Sequence, residues 1–338
     1  MKRKSLLYIG NKLNHRSSTP TNIESLGSFL EQEGFDVKYA SGVKNKFLRL
    51  AHMLAATVLY SKKANYVLID TYSTTNFWYA VSVAKLCSFL KLRYIPILHG
   101  GNLPQRYKKS PLNSEKLLKN AHKSVAPSPF LFNFFKKEGY NNLIYIPNSI
   151  DLSIYNYKKR ETFKPKLLWV RSFAGIYNPL MALKVLEILL KNYPGATLCM
   201  VGPEKDGSLK TCQIYAKSRQ LPVIFSGKLE KEEWVDLSKE YDIFINTTHY
   251  DNTPVSVIEA MALGLAVVST NVGGIPFLLE NEKDALLVDY DDTEAFAKAI
   301  TVLINDSVKS QMLAFNARRK VEKFDWEVVK KQWIELLN

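Results

Sequence analysis

The segment Asn246-Thr-Thr-His-Tyr-Asp251-Asn252-Thr253-Pro254-Val255-Ser256-Val257-Ile-Glu259-Ala-Met-Ala-Leu-Gly264 reads as a strand end, a loop and a helix in succession. Pro254 follows Thr253, an order that suits Thr253 as N-cap and Pro254 as first helical residue. The next amides, of Val255, Ser256 and Val257, then have no intrahelical acceptor, and with the helix dipole they form a site for an anion. Glu259 lies roughly a turn and a half further in, and helical side chains lean back toward the N-terminus. A carboxylate there can accept two hydroxyls of a ribose whose diphosphate sits at the helix start. The same residues also fit a plainer reading, a helix capped by Thr-Pro with a solvated glutamate.

Outward from this segment, short apolar runs alternate with longer helical patterns. Expected strands in the first half are Leu6–Ile9, Val37–Ala40, Tyr66–Ile69, Tyr94–Leu98, Ser124–Ala126 and Ile144–Ile146. Thr21-Asn22-Ile23-Glu24 has the spacing of a capping box, and Ile23, Leu26 and Leu30 follow at helical intervals. The rhythm restarts after the polar stretch Asp151–Pro165, with strands expected at Leu167–Val170, Thr197–Val201, Val223–Phe225, Ile243–Ile245, Ala266–Ser269 and Ala285–Val288. Such alternation predicts an α/β chain of two doubly wound, Rossmann-like domains, with ligands at the carboxyl ends of both sheets in a shared central cleft. The expected division is 1–155, 156–315, and a C-terminal helix 316–338 that returns to the N-terminal domain, with Trp326 and Trp333 as apolar anchors.

At 338 residues, 46% hydrophobic, the chain is long enough for two ordinary cores. Cys87, Cys199 and Cys212 are scattered and form no Cys-x-x-Cys pair, so neither a disulfide framework nor a zinc site is indicated. No stretch reads as a signal peptide, and the apolar run near Leu50–Tyr60 is too short to span a bilayer. The expected location is cytoplasmic, with peripheral contact at the inner membrane face. The net charge of +14 is uneven: residues 1–160 hold 25 Lys and Arg against 8 Asp and Glu, the remainder 21 against 24. A basic half suits anionic lipid headgroups, nucleic acid, or simply a solvated surface, with Lys62, Lys63, Lys108 and Lys109 as surface contributors. No aromatic-interleaved basic motif or nucleic-acid module is present, so nucleic acid is not an expected partner.

An acid, seven residues, a glutamate, then Ala-Met-Ala-x-Gly, an apolar strand and Asn271-Val-Gly-Gly-Ile-Pro276, resembles the large retaining glycosyltransferase family often called GT4, with the GT-B fold. That resemblance implies that Asp251 lies near the donor sugar and Glu259 on the nucleotide ribose. Asn252-Thr253-Pro254 stands where Gly-aromatic-Gly is usual, a version similar to polysaccharide-assembling members. Trp169-Val170-Arg171 resembles the family's phosphate-binding arginine motif, and an arginine's planar fork suits a diphosphate. The lysine usual five or six positions later is replaced by Ile176 and Tyr177. Lys228 is a substitute candidate, and helix-start amides with Arg171 are the other. His99-Gly100-Gly101 resembles the family's His-Gly, whose imidazole contacts the donor sugar. Pro147-Asn148-Ser149-Ile150-Asp151 is similar to the Pro-Asn-Gly-Val-Asp before the interdomain linker. Gly202 and Gly227 end two strands whose neighbourhood receives base and phosphates in the family, and the loop from Gly10-Asn11 to Thr21 borders acceptor and donor phosphate. Asp289-Tyr290-Asp291 resembles the metal-binding Asp-x-Asp of an unrelated transferase fold, but its place before the helix from Thr293 assigns it to an N-cap instead.

The resemblance implies a retaining, metal-independent transfer of a sugar from a UDP- or GDP-sugar. The expected acceptor is a hydroxyl of a saccharide or polyprenyl-diphosphate-linked saccharide, in cell-surface polysaccharide synthesis. The nucleotide sugar is a co-substrate, and no cofactor is expected. A sugar-nucleotide epimerase of the same fold and a sugar-binding pseudoenzyme are the alternatives.

Overall fold

The computed structural model describes residues 3–12 and 21–338. Packing divides the chain into two units, one running to Asn148 and resuming at Lys330–Asn338, the other comprising Ser149–Val329. The division falls earlier than the shift in composition because Ile150 is tied into the second unit. Its amide donates to the Phe324 carbonyl at 2.9 Å and its carbonyl accepts from Trp326 at 2.8 Å.

In the first unit the strands are β1 (Ser5–Ile9), β2 (Asp36–Ala40), β3 (Tyr66–Thr71), β4 (Tyr94–Leu98), β5 (Ser124–Ala126) and β6 (Leu143–Tyr145). They form one parallel sheet in the order β2-β1-β3-β4-β5-β6. Its apolar runs are continuous because helices cover both faces, so successive side chains are all buried, as in Tyr66–Thr71. The helix Asn22–Gln32 starts as its sequence requires: Glu24 Oε2 accepts from the Thr21 amide at 2.7 Å, and Ile23, Leu26 and Leu30 face the core. The final helix, Trp326–Leu337, begins in the second unit and ends in the first. There Lys330 pairs with Glu33 at 3.2 Å, and Lys4 Nζ donates to the carbonyl of Leu337 at 3.0 Å.

In the second unit β7 (Lys166–Val170), β8 (Thr197–Val201), β9 (Val223–Gly227), β10 (Ile243–Asn246), β11 (Ala266–Thr270) and β12 (Leu286–Val288) form a parallel sheet ordered β12-β11-β10-β7-β8-β9. The period of two is visible in its two cores. Leu167, Trp169, Leu198, Met200, Ile243 and Ile245 enter one, while Leu168, Cys199, Val201 and Phe244 enter the other. Both sheets are doubly wound, with reversals of strand order between β1 and β3 and between β7 and β10. Ligands bind at the carboxyl ends of strands beside such reversals. Among the described residues, no helix is long and apolar enough to cross a membrane.

Candidate functional site

The reversal in the second unit brings together the ends of β7 and β10. Arg171 follows β7 directly, its amide donating to the Val201 carbonyl at 3.0 Å. Gly202 follows β8 with φ +148°, and a Cβ there would overlap the Arg171 carbonyl, so only glycine lets the two strand ends approach. On the other side, the loop from Thr247 is stitched to residues 176–178. His249 N donates to Ile176 O at 2.9 Å, and Thr247 Oγ1 donates to Asn178 O at 2.9 Å.

These loops place the carboxylate of Asp251 on the guanidinium of Arg171 as an ion pair. Asp251 Oδ1 also accepts from the amide of Asn252 at 2.8 Å, and its carbonyl accepts from Gly274 N at 2.9 Å. Asn252 and Thr253 are buried beneath the loop. Burial pushes Arg171 down from its ordinary value, opposed by the charges of Tyr177 and Glu259, although an arginine stays protonated under any working condition. The ring of Tyr177 lies 4.7 Å from the Arg171 carbon Cζ, so the position where a lysine was expected supplies an aromatic face to the cation.

The helix is Val255–Ala262, and Pro254, not Thr253, is its N-cap, with φ −68° and ψ 118°. The proline ring fixes φ at a value common to both positions, and the extended ψ decides between them. The Pro254 carbonyl accepts from Val257 at 3.1 Å and from Ile258 at 3.3 Å, which removes Val257 from the free amides. Val255 and Ser256 keep amides with no acceptor among the described residues. Ser256 Oγ and Arg171 Nε are likewise buried without a hydrogen-bond partner. Leaving a buried donor unmade costs about 1–3 kcal/mol, so Ser256 Oγ and Arg171 Nε are poised for an acceptor beyond the described residues.

Glu259 is 4% exposed. Its Oε1 accepts from the hydroxyl of Tyr155 at 2.7 Å and forms an ion pair with Lys231, while Oε2 accepts no hydrogen bond among the described residues. Burial and the charge of Glu259 raise Tyr155 far above its ordinary value, so it remains a neutral donor. Sequence reasoning missed both partners. Tyr155 precedes Glu259 by 104 positions, and Lys231 lies in a capping segment where a lysine reads as ordinary surface charge. Lys228 follows Gly227 at the end of β9, and its Nζ meets Glu230 at 2.7 Å.

His99 and Gly10 belong to the first unit. His99 follows β4, and its Nε2 stands 2.9 Å from Asp70 Oδ1 at the end of β3. The Tyr8 hydroxyl donates to the same oxygen at 3.0 Å and accepts from Asn22 Nδ2 at 3.0 Å. Burial and the charge of Asp70 raise Tyr8 well above its ordinary value. Gly10 follows β1, where a Cβ would come within 2.7 Å of Asp70 Oδ2, a buried oxygen with no hydrogen-bond partner among the described residues. Asp70 had one sequence signal, since it is the sole Asp or Glu between Asp36 and Glu115. Of the loop from Gly10 to Thr21, residues 13–20 lie outside the described residues.

Asp289-Tyr290-Asp291 does not supply the cap of the following helix. Asp292 does, its Oδ1 accepting from Ala295 N at 2.8 Å, because the capping side chain must sit next to the first helical residue, Thr293. Asp291 instead accepts from Asn178 Nδ2 at 2.8 Å and lies 2.9 Å from His249 Nε2. Among the described residues, no group of three or more His, Cys, Asp or Glu is placed to hold a metal ion.

Residues 156–320 match the family described as glycosyl transferases group 1. The D-inositol 3-phosphate glycosyltransferase of Rhodococcus jostii (strain RHA1) is 27% identical over 203 residues, covering 55% of this chain and 45% of that protein. The chain spans less than half the length of the curated relatives it matches. Among solved structures, sucrose-phosphate synthase from Thermosynechococcus elongatus has a TM-score of 0.81 at 17% identity, over 99% of this chain and 98% of that one. Anabaena HepE in complex with UDP and glucose has a TM-score of 0.79 at 17% identity, over 98% of each chain. The shared fold is GT-B, two Rossmann-like domains. The match places residues 156–320, just under half of the chain, in the group 1 glycosyltransferase family.

Proposed function

We propose that the chain transfers a sugar from a nucleoside diphosphate to a hydroxyl of a saccharide acceptor, with the anomeric configuration retained and without a metal. One observation carries this reading: unpartnered buried donors at Arg171 and Ser256 share a strand-order reversal with a buried carboxylate, Glu259. A diphosphate answers the donors and a ribose diol answers the carboxylate, and a nucleotide sugar carries both. HepE, whose structure contains UDP and glucose, supports UDP as the first nucleotide to test.

In this reading Arg171, the amides of Val255 and Ser256, and the Ser256 hydroxyl hold the leaving diphosphate. Glu259, steadied by Tyr155, takes the ribose, and Asp251 and His99 serve the sugar. Asn252, Thr253 and Pro254 shape the loop beneath it. Gly10, Gly202, Gly227 and Lys228 border the phosphates and base. The acceptor hydroxyl attacks on the face the diphosphate leaves and passes its proton to the departing phosphate oxygen, so positioning and charge stabilisation supply the rate. The basic first half of the chain favours an acidic acceptor, a polyprenyl-diphosphate-linked saccharide of surface-polysaccharide assembly.

The test is transfer from UDP- and GDP-sugars to lipid-linked saccharides, with the product anomer read by proton NMR. Retention, insensitivity to excess chelator, and loss of transfer in Arg171→Ala and Glu259→Ala are expected. An inverted product, or full activity in both variants, would reject the assignment.

A further inference from the structure

The helix Lys46–Leu59 carries apolar side chains on its outer face as well as its inner one. Asn45 caps it, Oδ1 accepting from Phe47 N at 3.0 Å and Leu48 N at 3.2 Å. Its buried residues are Arg49, Met53, Ala56 and Thr57. Arg49 points its charge inward, donating to Val43 O at 2.7 Å, Lys44 O at 2.9 Å and Asn11 Oδ1 at 3.2 Å. Met53 is buried and Leu50 and Leu54 pack against the core, yet four further apolar side chains face out: Phe47 is 85% exposed, Leu48 62%, Val58 54% and Leu59 70%. Ala51, His52 and Ala55 are exposed between them, at the three- and four-residue steps that join one helical face. A surface helix ordinarily presents charged and polar residues on the face opposite the core.

Charge frames the stripe. Lys44 and Lys46 are exposed at its start, and Lys62 and Lys63 just beyond its end. No Asp or Glu occurs between Asp36 and Asp70. Lys46 stands in the first helical turn, where the helix dipole disfavours a cation, so local stability does not account for it. Apolar residues between lysines at both ends match the interface of an anionic bilayer, where rings and aliphatic chains enter the acyl boundary and ammonium groups meet headgroup phosphates. A second copy of the same face would set lysine against lysine. At 14 residues the helix is shorter than the roughly 20 that span a bilayer, so the geometry is that of an element lying on the surface.

We infer that Lys46–Leu59 is a membrane-docking face that seats Phe47, Leu48, Val58 and Leu59 in an anionic lipid surface. Docking of this kind stands whether or not the acceptor is lipid-linked, and its test is independent of transfer.

The experiment is flotation of the full chain with vesicles of phosphatidylcholine alone or mixed with phosphatidylglycerol. Binding to the mixed vesicles, weakened by added salt, is expected. Phe47→Ser with Leu48→Ser should lower the partition about tenfold or more through lost apolar burial. Lys62→Glu with Lys63→Glu should lower it by a similar factor. As a second measurement, Leu48→Cys carrying an environment-sensitive dye should shift to the blue on the mixed vesicles, the native thiols being buried. Equal or negligible binding to both vesicle types, unchanged binding in the serine variant, or a dye that stays in water would each overturn the proposal. So would self-association of the chain, abolished by the serine variant, without vesicle binding.

Discussion

His99 Nε2 and Asp70 Oδ1 stand 2.9 Å apart, and because an ionised carboxylate only accepts, this contact calls for a proton on Nε2, in competition with the donor Asn22 Nδ2 at 3.1 Å from the same nitrogen. In the proposed reading Asp70 thus governs which ring nitrogen a substrate hydroxyl meets. Asp70→Asn removes the charge and lets the amide donate to the ring, favouring the other tautomer. A fall in kcat of about tenfold or more is expected, with donor KM little changed. Combined with His99→Ala, the same substitution should add nothing, since it acts through the ring. Kinetics on the two single variants and the double variant read this directly.

Among the described residues, Tyr155 supplies the one neutral hydrogen bond to buried Glu259. Tyr155→Phe keeps the ring packing and loses that bond. Affinity for UDP should fall about tenfold, the scale of one hydrogen bond to a charged group. Since Tyr155 stays protonated, the loss should be the same across neutral pH. Titration calorimetry measures it.

Gly202→Ala is expected to damage fold and function together. The added carbon meets the Arg171 carbonyl at a φ of +148°, so strain costs about 1–3 kcal/mol and the guanidinium is displaced. A lowered denaturation midpoint together with lost transfer is the predicted pair of results.

Burial, with the charges of Arg93 and Lys123, holds His122 below its ordinary value of 6.5. The unfolded chain thus takes up this proton first as the solution becomes acidic. The contribution to stability is whole above about pH 6.5 and declines as pH falls through the lower, folded value. Denaturant midpoints should drop between about pH 7.5 and about pH 5.5, and less so in His122→Gln.

The sheets were legible because buried parallel strands write themselves as short apolar runs. Tyr94–Leu98, Ser124–Ala126 and Thr197–Val201 run from end to end as the pattern predicts. Short-range chemistry was read nearly as well, with an error of one residue at Pro254, where a single backbone angle separates cap from first turn, and of position at Asp292. What stayed hidden is what tertiary packing alone assembles. Tyr155 and Lys231 reach Glu259 from distant segments, and Asp70 meets His99 from the neighbouring strand. Nor does the spacing of Lys46–Leu59 tell which of its apolar residues face outward, because apolar side chains occupy both sides of the helix.

Arg171 is held by Asp251, and Lys231 by Glu259. In the proposed reading both carboxylates are themselves ligand-binding groups, so each cation is already charge-matched before a nucleotide sugar arrives. A diphosphate must then share Arg171 with Asp251, and a ribose must share Glu259 with Lys231 and Tyr155. Negative charge alone gives an incoming anion little under that arrangement, and the ribose contact is what would set a nucleotide apart from inorganic phosphate.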